Sequence, residues 1–555
     1  MAYFPTTLVH KTSGPAHRRQ AARVMSLPMV AVLGVLAIGA CVISLHVTVH
    51  VPFALPDSAS YMSAAHNLVS GQGLTTAFNP PTSLYHPAQA AAVYGRVPLA
   101  QYGPLYPVVL VLAHYLGFSA NNSVRVVGLV TLIAFIALVG ALAARLTDRR
   151  PSLMAVLVVV CVAAPGLTAY GLWLNPLALS TFALSDLLFY VLVLASLLAV
   201  DGWLRQPTMG RWALVVVLIV AAVLTRYAAV SIAATAACAA LAEVSWDRRR
   251  RLLGALSMIG SGLAAFVGWD LLNKIVSGAA SPRSIVFHPS GHLAYAMLQV
   301  AGAWFFPSSW PGALTGSLTV VIMVATVVLA LSGRARRWVV GEVPAAVSAP
   351  LRLWRIGGWF VVCYTAMIVI TSTWLDASLA IDNRILGPIQ TVLYLLIASM
   401  LYWTVRSRVR ALQSQLWAIG AVAVAALVLW APNAAALASE LTVVARTTPA
   451  QPAINAIPAS QFVVTNDTAA MYLTSGHASM LVPFHVFYTT NQANPDFTAD
   501  LRETGRLVRQ RRGVVVWWPT MVPEAPSLQE LEQVGHLAIK KDLPGGTLIL
   551  GPADT

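Results

Sequence analysis

The chain has 555 residues and a mass of 59.0 kDa; 58% of its residues are hydrophobic, only 10% are charged, and the mean hydropathy is +0.72. Soluble proteins carry roughly 25% charged residues, so this composition excludes a water-soluble enzyme with one large core. Uncharged apolar runs longer than about 18 residues recur, which excludes a disordered protein and indicates membrane-spanning helices. The formal charge of +15 lies mostly in short runs between apolar segments, as in polytopic membrane proteins, so no nucleic-acid partner is expected.

About eleven apolar segments predict membrane-spanning helices. They lie at residues 24–56, 126–144, 152–172, 181–200, 212–225, 227–243, 252–270, 314–332, 356–372, 385–404 and 411–431. Most of the basic residues fall in the N-terminal segment and in alternate loops, which the positive-inside rule assigns to the cytoplasm. An odd number of passes then predicts an extracytoplasmic C-terminus. The predicted location is the plasma (inner) membrane, with multiple passes.

Three parts of the chain are predicted. Residues 1–25 form a cytoplasmic N-terminal segment, and residues 26–432 form an all-α polytopic membrane domain with a first outer loop at 50–124. Residues 433–555 are less apolar and are predicted to form a small extracytoplasmic α/β domain. Its buried strands are expected near 461–467 and 513–518, where short apolar runs rich in valine occur.

Two features of the membrane domain depend on segment length. The apolar stretch 104–118 is too short to span a bilayer and predicts an interfacial helix on the outer leaflet. The segments 212–225 and 227–243 are also short, but the loops that flank the pair are rich in arginine, so the chain must turn back between them. Arg226 is therefore expected at the outward tip of a tight helical hairpin.

Charged side chains at the outer ends of these segments are the first candidates for a functional site. A charge in or against a membrane is energetically unfavourable, so such a residue is expected to have a function. The acidic candidates are Asp57, directly after the first segment, Asp186, about 7 Å inside the outer end of its helix, and Asp382, directly before a segment. The basic candidates on the same side are Arg96, Arg226 and Arg384. A few carboxylates near a few arginines suit a substrate that has an anionic headgroup and a lipid tail.

Several segments that contain these residues resemble, in order, a known family. They are PDSASY at 56–61 with GQG at 71–73, YGPLYPVVLVLAHYLG at 102–117, LSDLLFYVLVLASL at 184–197, LTRYAAV at 224–230, IDNRILGPIQ at 381–390 and VVTNDTAAMYLTSG at 463–476. The chain resembles the GT-C class of polyprenyl-phosphate-sugar-dependent glycosyltransferases, which includes relatives of bacterial protein O-mannosyltransferases and of the lipid A aminoarabinose transferase. The segment at 381–390 is similar to the family's DxRYLxP pattern, but position 385 is Ile where the family usually has Tyr.

The resemblance implies an inverting glycosyltransferase that moves a sugar from a polyprenyl-phosphate donor to an acceptor hydroxyl of the cell envelope at the outer face of the membrane. The acceptor is a glycan, a lipid or a protein. Within that expectation, Asp57 is the general base that takes the acceptor proton. The implied substrate-binding residues are Arg226 and Arg384 at the donor phosphate with Arg96 in reserve, Asp186 and Asp382 beside an arginine or a sugar hydroxyl, and Tyr61, Tyr102 and Tyr106 along the groove for sugar and lipid.

No cofactor is implied with certainty. Some members of the class carry two acids in the first outer loop, consistent with a divalent metal, but Asp57 is followed by no second acid before Asp148. A metal is therefore not supported by a paired-acid motif, and His66 or His86 would have to supply a nitrogen ligand.

Structural and functional alternatives stay open at the level of sequence. Asp57 is also a preferred helix N-cap, Arg226 could reach toward the headgroups at the end of a hairpin, and Arg384 could pair with Asp382 in a structural turn. For the whole protein, the alternatives are a flippase or transporter of lipid-linked sugars and a non-catalytic envelope scaffold.

Overall fold

The computed structural model describes residues 26–48, 55–80, 85–147, 149–163, 175–277, 285–288, 291–306, 310–333, 348–377, 379, 381–408, 450–519 and 524–553. The predicted N-terminal segment 1–25 and the predicted span 411–431 lie outside the described residues.

Helices make up most of the described chain up to residue 408. They are α1 (Leu27–Val47), α2 (Pro56–Val69), α3 (Pro87–Ala92), α4 (Leu105–Tyr115), α5 (Ala120–Leu146), α6 (Pro151–Val162), α7 (Pro176–Leu179), α8 (Asp186–Arg205), α9 (Met209–Val223), α10 (Val230–Leu241), α11 (Arg248–Ser277), α12 (Gly291–Gly302), α13 (Gly312–Leu331), α14 (Ser348–Ile370) and α15 (Asn383–Arg408). A 3-10 helix at Tyr227–Ala229 precedes α10, and a π-helix at Thr371–Leu375 follows α14.

Within the described residues, seven helices are long and apolar enough to cross a membrane: α1, α5, α8, α11, α13, α14 with its π-helical end, and α15. A multi-pass membrane protein is therefore confirmed, whereas the count of about eleven passes stays a prediction. Three further predicted spans correspond to the shorter helices α6, α9 and α10, and the stretch predicted to be interfacial contains α4. Helix α12 was not among the predicted elements.

Buried ion pairs lie at the end of the bundle away from Asp186. Asp201 is fully buried in α8 and pairs with Arg205 at 2.8 Å and with Arg145 at 3.3 Å. Asp201 follows Asp186 by about 15 residues, so the two carboxylates are roughly 22 Å apart along the helix. Helix α8 therefore has a charged residue near each end, and the apolar stretch between them covers about three quarters of a hydrocarbon core of roughly 30 Å.

The part of the chain after residue 450 forms a mixed sheet flanked by short helices. Its helices are α16 (Gln451–Asn455), α17 (Thr468–Ser475), α18 (Phe497–Gln510) and α19 (Leu528–Gln533). The strands of the whole chain are β1 (Thr75–Thr76), β2 (Val97–Pro98), β3 (Val463–Thr465), β4 (Met480–Leu481), β5 (Val486–Phe487), β6 (Gln492–Ala493), β7 (Val514–Trp517), β8 (Leu537–Leu543) and β9 (Thr547–Pro552). The five-stranded order is β4-β3-β7-β9-β8, in which β4, β3 and β7 are parallel and β9 is antiparallel to both of its neighbours. Both predicted buried strands are present, as β3 and β7.

The segment between α1 and α5 packs against this sheet. Phe78 forms a parallel bridge with Ser479, at the β4 edge of the sheet. The hydroxyl group of Tyr94 donates a hydrogen bond to the carbonyl oxygen of Ala478 (2.7 Å) and accepts one from the amide of Val463 (2.9 Å). The predicted first outer loop and the C-terminal α/β unit are therefore joined by backbone pairing and by side-chain hydrogen bonds.

Replacing Tyr94 by Phe should destabilise this junction. The ring would remain, but the amide of Val463, which is fully buried, would lose its partner, at about 1–3 kcal/mol. We expect a lower unfolding midpoint for the full-length protein in nanodiscs, followed by tryptophan fluorescence. Tyr115→Phe is the control, because Tyr115 is 71% exposed; equal midpoints for both variants would contradict the assigned role of Tyr94.

Candidate functional site

The three predicted acids and two of the three predicted arginines meet where four helix ends come together. Asp57 lies in the first turn of α2, and Asp186 is the first residue of α8. Arg226 lies in the turn after α9, while Asp382 and Arg384 are at the start of α15. The expectation that Asp186 lies about 7 Å inside its helix was wrong, because the chain turns before residue 186 and α8 begins at that residue.

Arg384 joins two carboxylates from distant parts of the chain. One guanidinium nitrogen, Nη1, lies 3.0 Å from Oδ2 of Asp57, and Nε lies 2.8 Å from Oδ2 of Asp382. The backbone amide of Arg384 also donates to Oδ1 of Asp382 at 2.9 Å. The local turn with Asp382 is therefore present, but it also aims the guanidinium group at Asp57, which is 327 residues away in sequence.

Arg226 and Asp186 form a second ion pair through Nη1 of the arginine and Oδ1 of the acid. Asp186 is fully buried, and its Oδ2 has no hydrogen-bond partner among the described residues. The side chain of Arg226 is 23% exposed. An arginine held from behind by a buried carboxylate keeps a fixed direction, and its remaining N–H groups can serve an anionic ligand.

Asp57 is the most accessible acid of the cluster. Its side chain is 30% exposed, compared with 1% for Asp382 and none for Asp186. Helix α2 begins at Pro56 with Leu55 as its N-cap residue, so Asp57 is not the cap. Its carboxylate is instead held by Arg384 and by the hydroxyl group of Tyr102, which donates to Oδ1 at 2.9 Å.

The three predicted tyrosines pack together beside Asp57. The ring of Tyr61 lies 5.0 Å from that of Tyr102 and 5.1 Å from that of Tyr106, and the Tyr61 hydroxyl group is 2.7 Å from Oγ of Ser185. Burial and then the negative charge of Asp57 raise the pKa of Tyr102 well above its ordinary value, so Tyr102 stays a donor at neutral pH. Tyr61 and Tyr106 are each only 2% exposed, so substrate could reach them only after local rearrangement.

Close backbone packing brings the Tyr102 segment to the Arg226 turn. The amide of Leu105 donates to the carbonyl oxygen of Leu224 at 2.9 Å, and a side chain at Gly103 would collide with that same carbonyl group. The hydroxyl group of Tyr227 donates to the carbonyl oxygen of Ala100 at 3.0 Å. These contacts fix Arg226 and Tyr102 on neighbouring turns.

Residues that the sequence did not single out position the start of α15. The hydroxyl group of Tyr190 donates to the carbonyl oxygens of Asn383 and Arg384, each at 3.0 Å, and that of Tyr364 donates to the carbonyl of Ile385 at 2.9 Å. The Tyr190 hydroxyl group occupies the place that a Cβ atom would take at Gly387. The only sequence signal for Tyr190 and Tyr364 was that each is a tyrosine inside an apolar run. The carbonyl groups to which they donate could not be predicted from that signal.

The other candidates lie apart from these contacts. Arg96 is exposed and forms no ion pair within the described part of the chain. His66 is exposed, and Nδ1 of His86 lies 3.0 Å from Oδ1 of Asp500, in the C-terminal unit. Among the described residues, no group of three or more His, Cys, Asp or Glu side chains could hold a metal ion.

Three solved structures illustrate what this chain is similar to. ArnT from Cupriavidus metallidurans, bound to undecaprenyl phosphate, is 14% identical over 94% of this chain and 97% of its own, with a TM-score of 0.45. The archaeal oligosaccharyltransferase AglB from Archaeoglobus fulgidus, in complex with an inhibitory peptide and a dolichol-phosphate, is 14% identical over 88% of this chain and 69% of its own (TM-score 0.47). The arabinofuranosyltransferase AftD from Mycobacteria is 13% identical over 94% of this chain and 40% of its own (TM-score 0.48). No protein-family model and no curated protein matches the sequence.

These three proteins are GT-C polyprenyl-phosphate-dependent glycosyltransferases, the class that the sequence segments resemble. At 13–14% identity and TM-scores below 0.5, the likenesses by themselves decide neither the substrate nor the activity of this chain. The fold and the site define a multi-pass membrane protein with a charged cluster where its helices meet a mixed α/β unit.

The pair of Arg226 and Asp186 allows a test of the cluster's electrostatics. Arg226→Ala should lower stability by about 3–5 kcal/mol, because it leaves the buried carboxylate without its cation. Adding Asp186→Asn to that variant should restore most of the loss, since no buried charge then remains. The unfolding midpoint in nanodiscs measures both changes, and a double variant as unstable as the single one would contradict the pairing.

Proposed function

We propose that this protein is an inverting glycosyltransferase that moves a sugar from a polyprenyl-phosphate donor to an acceptor hydroxyl group at the outer face of the membrane. The single observation that supports the proposal most is the position of Asp57. It is the accessible carboxylate of a cluster that also contains two fixed arginines, at the ends of apolar helices. The distribution of basic residues among the loops supports the outer location.

Asp57 would act as the general base. As the acceptor oxygen attacks the anomeric carbon, a carboxylate oxygen of Asp57 takes the acceptor proton, and the bond between that carbon and the phosphate oxygen breaks. The bond electrons leave with the polyprenyl phosphate. Attack from the face opposite the leaving group inverts the sugar centre, as in inverting glycosidases. Tyr102 keeps Asp57 oriented through its hydrogen bond to Oδ1.

The arginines would stabilise the departing phosphate. Negative charge grows on the phosphate oxygens as the bond breaks, and fixed guanidinium groups in a partly dry site favour that change. Arg384 is only 12% exposed and is already shared by Asp57 and Asp382. A phosphate that draws the Nη1 group of Arg384 toward itself would release Oδ2 of Asp57 to accept the proton. Donor binding and activation of the base would then be coupled through one side chain.

Asp57→Asn should reduce transfer at least about 100-fold, because an amide cannot take the proton. The assay uses the full-length protein in nanodiscs, decaprenyl-phosphate-linked arabinose or mannose as donors, and mass spectrometry of the products. Insertion and the unfolding midpoint should stay near wild type. The matched control is Asp270→Asn, since Asp270 forms no ion pair among the described residues.

The same assay separates the alternatives. Transfer at the wild-type rate by Asp57→Asn would refute the role of Asp57 as base. If the wild-type protein turned over none of the donors but moved a labelled lipid-linked sugar across a vesicle membrane, the protein would be a flippase. A scaffold would do neither.

Arg226→Lys should raise the donor KM about tenfold with a smaller change in kcat. The lysine can still pair with Asp186, but it lacks the guanidinium N–H groups that would face the phosphate. Initial rates at varied donor concentration measure the effect. Arg502→Lys is the control, because Arg502 is exposed on α18, away from the cluster. An unchanged donor KM in Arg226→Lys would mean that the phosphate binds elsewhere.

A further inference from the structure

A cavity lies between the first outer loop and the C-terminal unit. It is a small cleft that is partly open to solvent. The first outer loop contributes Tyr85 and His86 to its wall, and the β5–β6 hairpin and the start of α18 contribute Phe487, Tyr488, Asn494 and Asp500. None of these residues belongs to the charged cluster described above.

The polar groups of the cleft are held in place. Oδ1 of Asp500 lies 3.0 Å from Nδ1 of His86, and Oδ2 accepts from the side-chain amide of Asn494 at 3.3 Å. Asp500 is only 9% exposed, whereas the side chain of His86 is 49% exposed. The cleft therefore combines an ordered polar edge with aromatic side chains, of which Tyr488 is 41% exposed.

The wall of the cleft is connected to the charged cluster. The carbonyl oxygen of Thr489, next to Tyr488 in the hairpin, accepts a hydrogen bond from the amide of Ala377 at 2.8 Å. Ala377 precedes Asp382 by about five residues, so the chain between them spans at most roughly 18 Å. A chain molecule of a few units is therefore long enough to extend from the cleft toward the charged cluster.

A carbohydrate fits this combination of groups better than a lipid does. Sugar rings present C–H groups on their faces, which pack on aromatic rings, and hydroxyl groups at their edges, which exchange hydrogen bonds with carboxylate, amide and imidazole groups. An acyl chain would leave the paired Asp500, His86 and Asn494 facing an apolar surface, which is unfavourable for polar groups.

We propose that this cleft binds an oligosaccharide acceptor, several sugar residues away from the hydroxyl group that reacts. The assignment rests on the proposed glycosyltransferase function. According to this assignment the acceptor is a glycan, and its affinity increases with its length, because sugar units beyond the reacting one add contacts in the cleft.

The test compares short and long acceptors. Octyl arabinofuranosides and mannosides of one and of six residues are the probes, with the full-length protein in nanodiscs. Tyr488→Ala and Tyr85→Ala should raise the KM of a hexasaccharide at least fivefold and leave the KM of the monosaccharide unchanged. Tyr488→Phe keeps the ring and should behave as wild type. Ile539→Ala removes an exposed apolar side chain elsewhere in the same unit and is the control.

Two further readouts separate this inference from the proposed function. Saturation-transfer NMR without donor should detect hexasaccharide bound to wild-type protein, with the signal reduced in Tyr488→Ala. Hydrolysis of the donor in the absence of acceptor should be the same in all variants. Absence of hexasaccharide binding, or equal binding and equal KM in the variants, would overturn the cleft assignment. Absence of donor turnover by the wild-type protein would instead refute the proposed function, whatever the NMR result.

Discussion

The shared ion pair of Arg384 with Asp57 and Asp382 is the interaction on which the rest of the site depends. Asp382 is nearly fully buried, and a buried carboxylate is unstable without a cation. Arg384 meets that requirement and extends a second nitrogen to Asp57. The start of α15 is held in turn by the hydroxyl groups of Tyr190 and Tyr364, so the direction of the guanidinium group is set by the packed interior of the bundle. A phosphate that reached Arg384 would therefore meet a guanidinium group that Asp382 already orients and whose Nη1 is shared with Asp57.

The bundle keeps its charges at the two ends of the spanning helices. Asp201 pairs with Arg145 and Arg205 at one end of α8, and Asp186 pairs with Arg226 at the other. The end with Asp186 also carries Asp57, a partly exposed carboxylate that is itself paired with Arg384. Ion pairs are present at both ends. They differ in that Asp201 pairs with two arginines, whereas Oδ2 of Asp186 has no hydrogen-bond partner among the described residues.

The mixed α/β unit contacts both chain segments that lead into the charged cluster. Its β4 edge pairs with the first outer loop, and the β5–β6 hairpin bonds to the segment that leads to Asp382. The loop that carries Asp57 and the loop that carries Arg384 therefore both touch the same unit. A glycan in the proposed cleft would contact the first outer loop and the β5–β6 hairpin, and the hairpin is hydrogen-bonded to the segment that leads to Asp382. This gives a physical route by which the acceptor could be aligned with the base.

The sequence by itself determined the class of protein, the apolar segments and which side chains were unusual. Apolar runs and arginine-rich loops are features of short stretches of sequence, so they can be identified without a structure. The pair of Asp382 and Arg384 could be proposed for the same reason, because the two residues are two positions apart. Tertiary structure alone decided that Asp57 meets Arg384, that Arg226 meets Asp186, and that Tyr102 rather than Tyr61 or Tyr106 holds the carboxylate. It also decided that Arg96 stays apart. These pairings join residues tens to hundreds of positions apart, and they depend on how helices pack, which no local pattern of residues encodes.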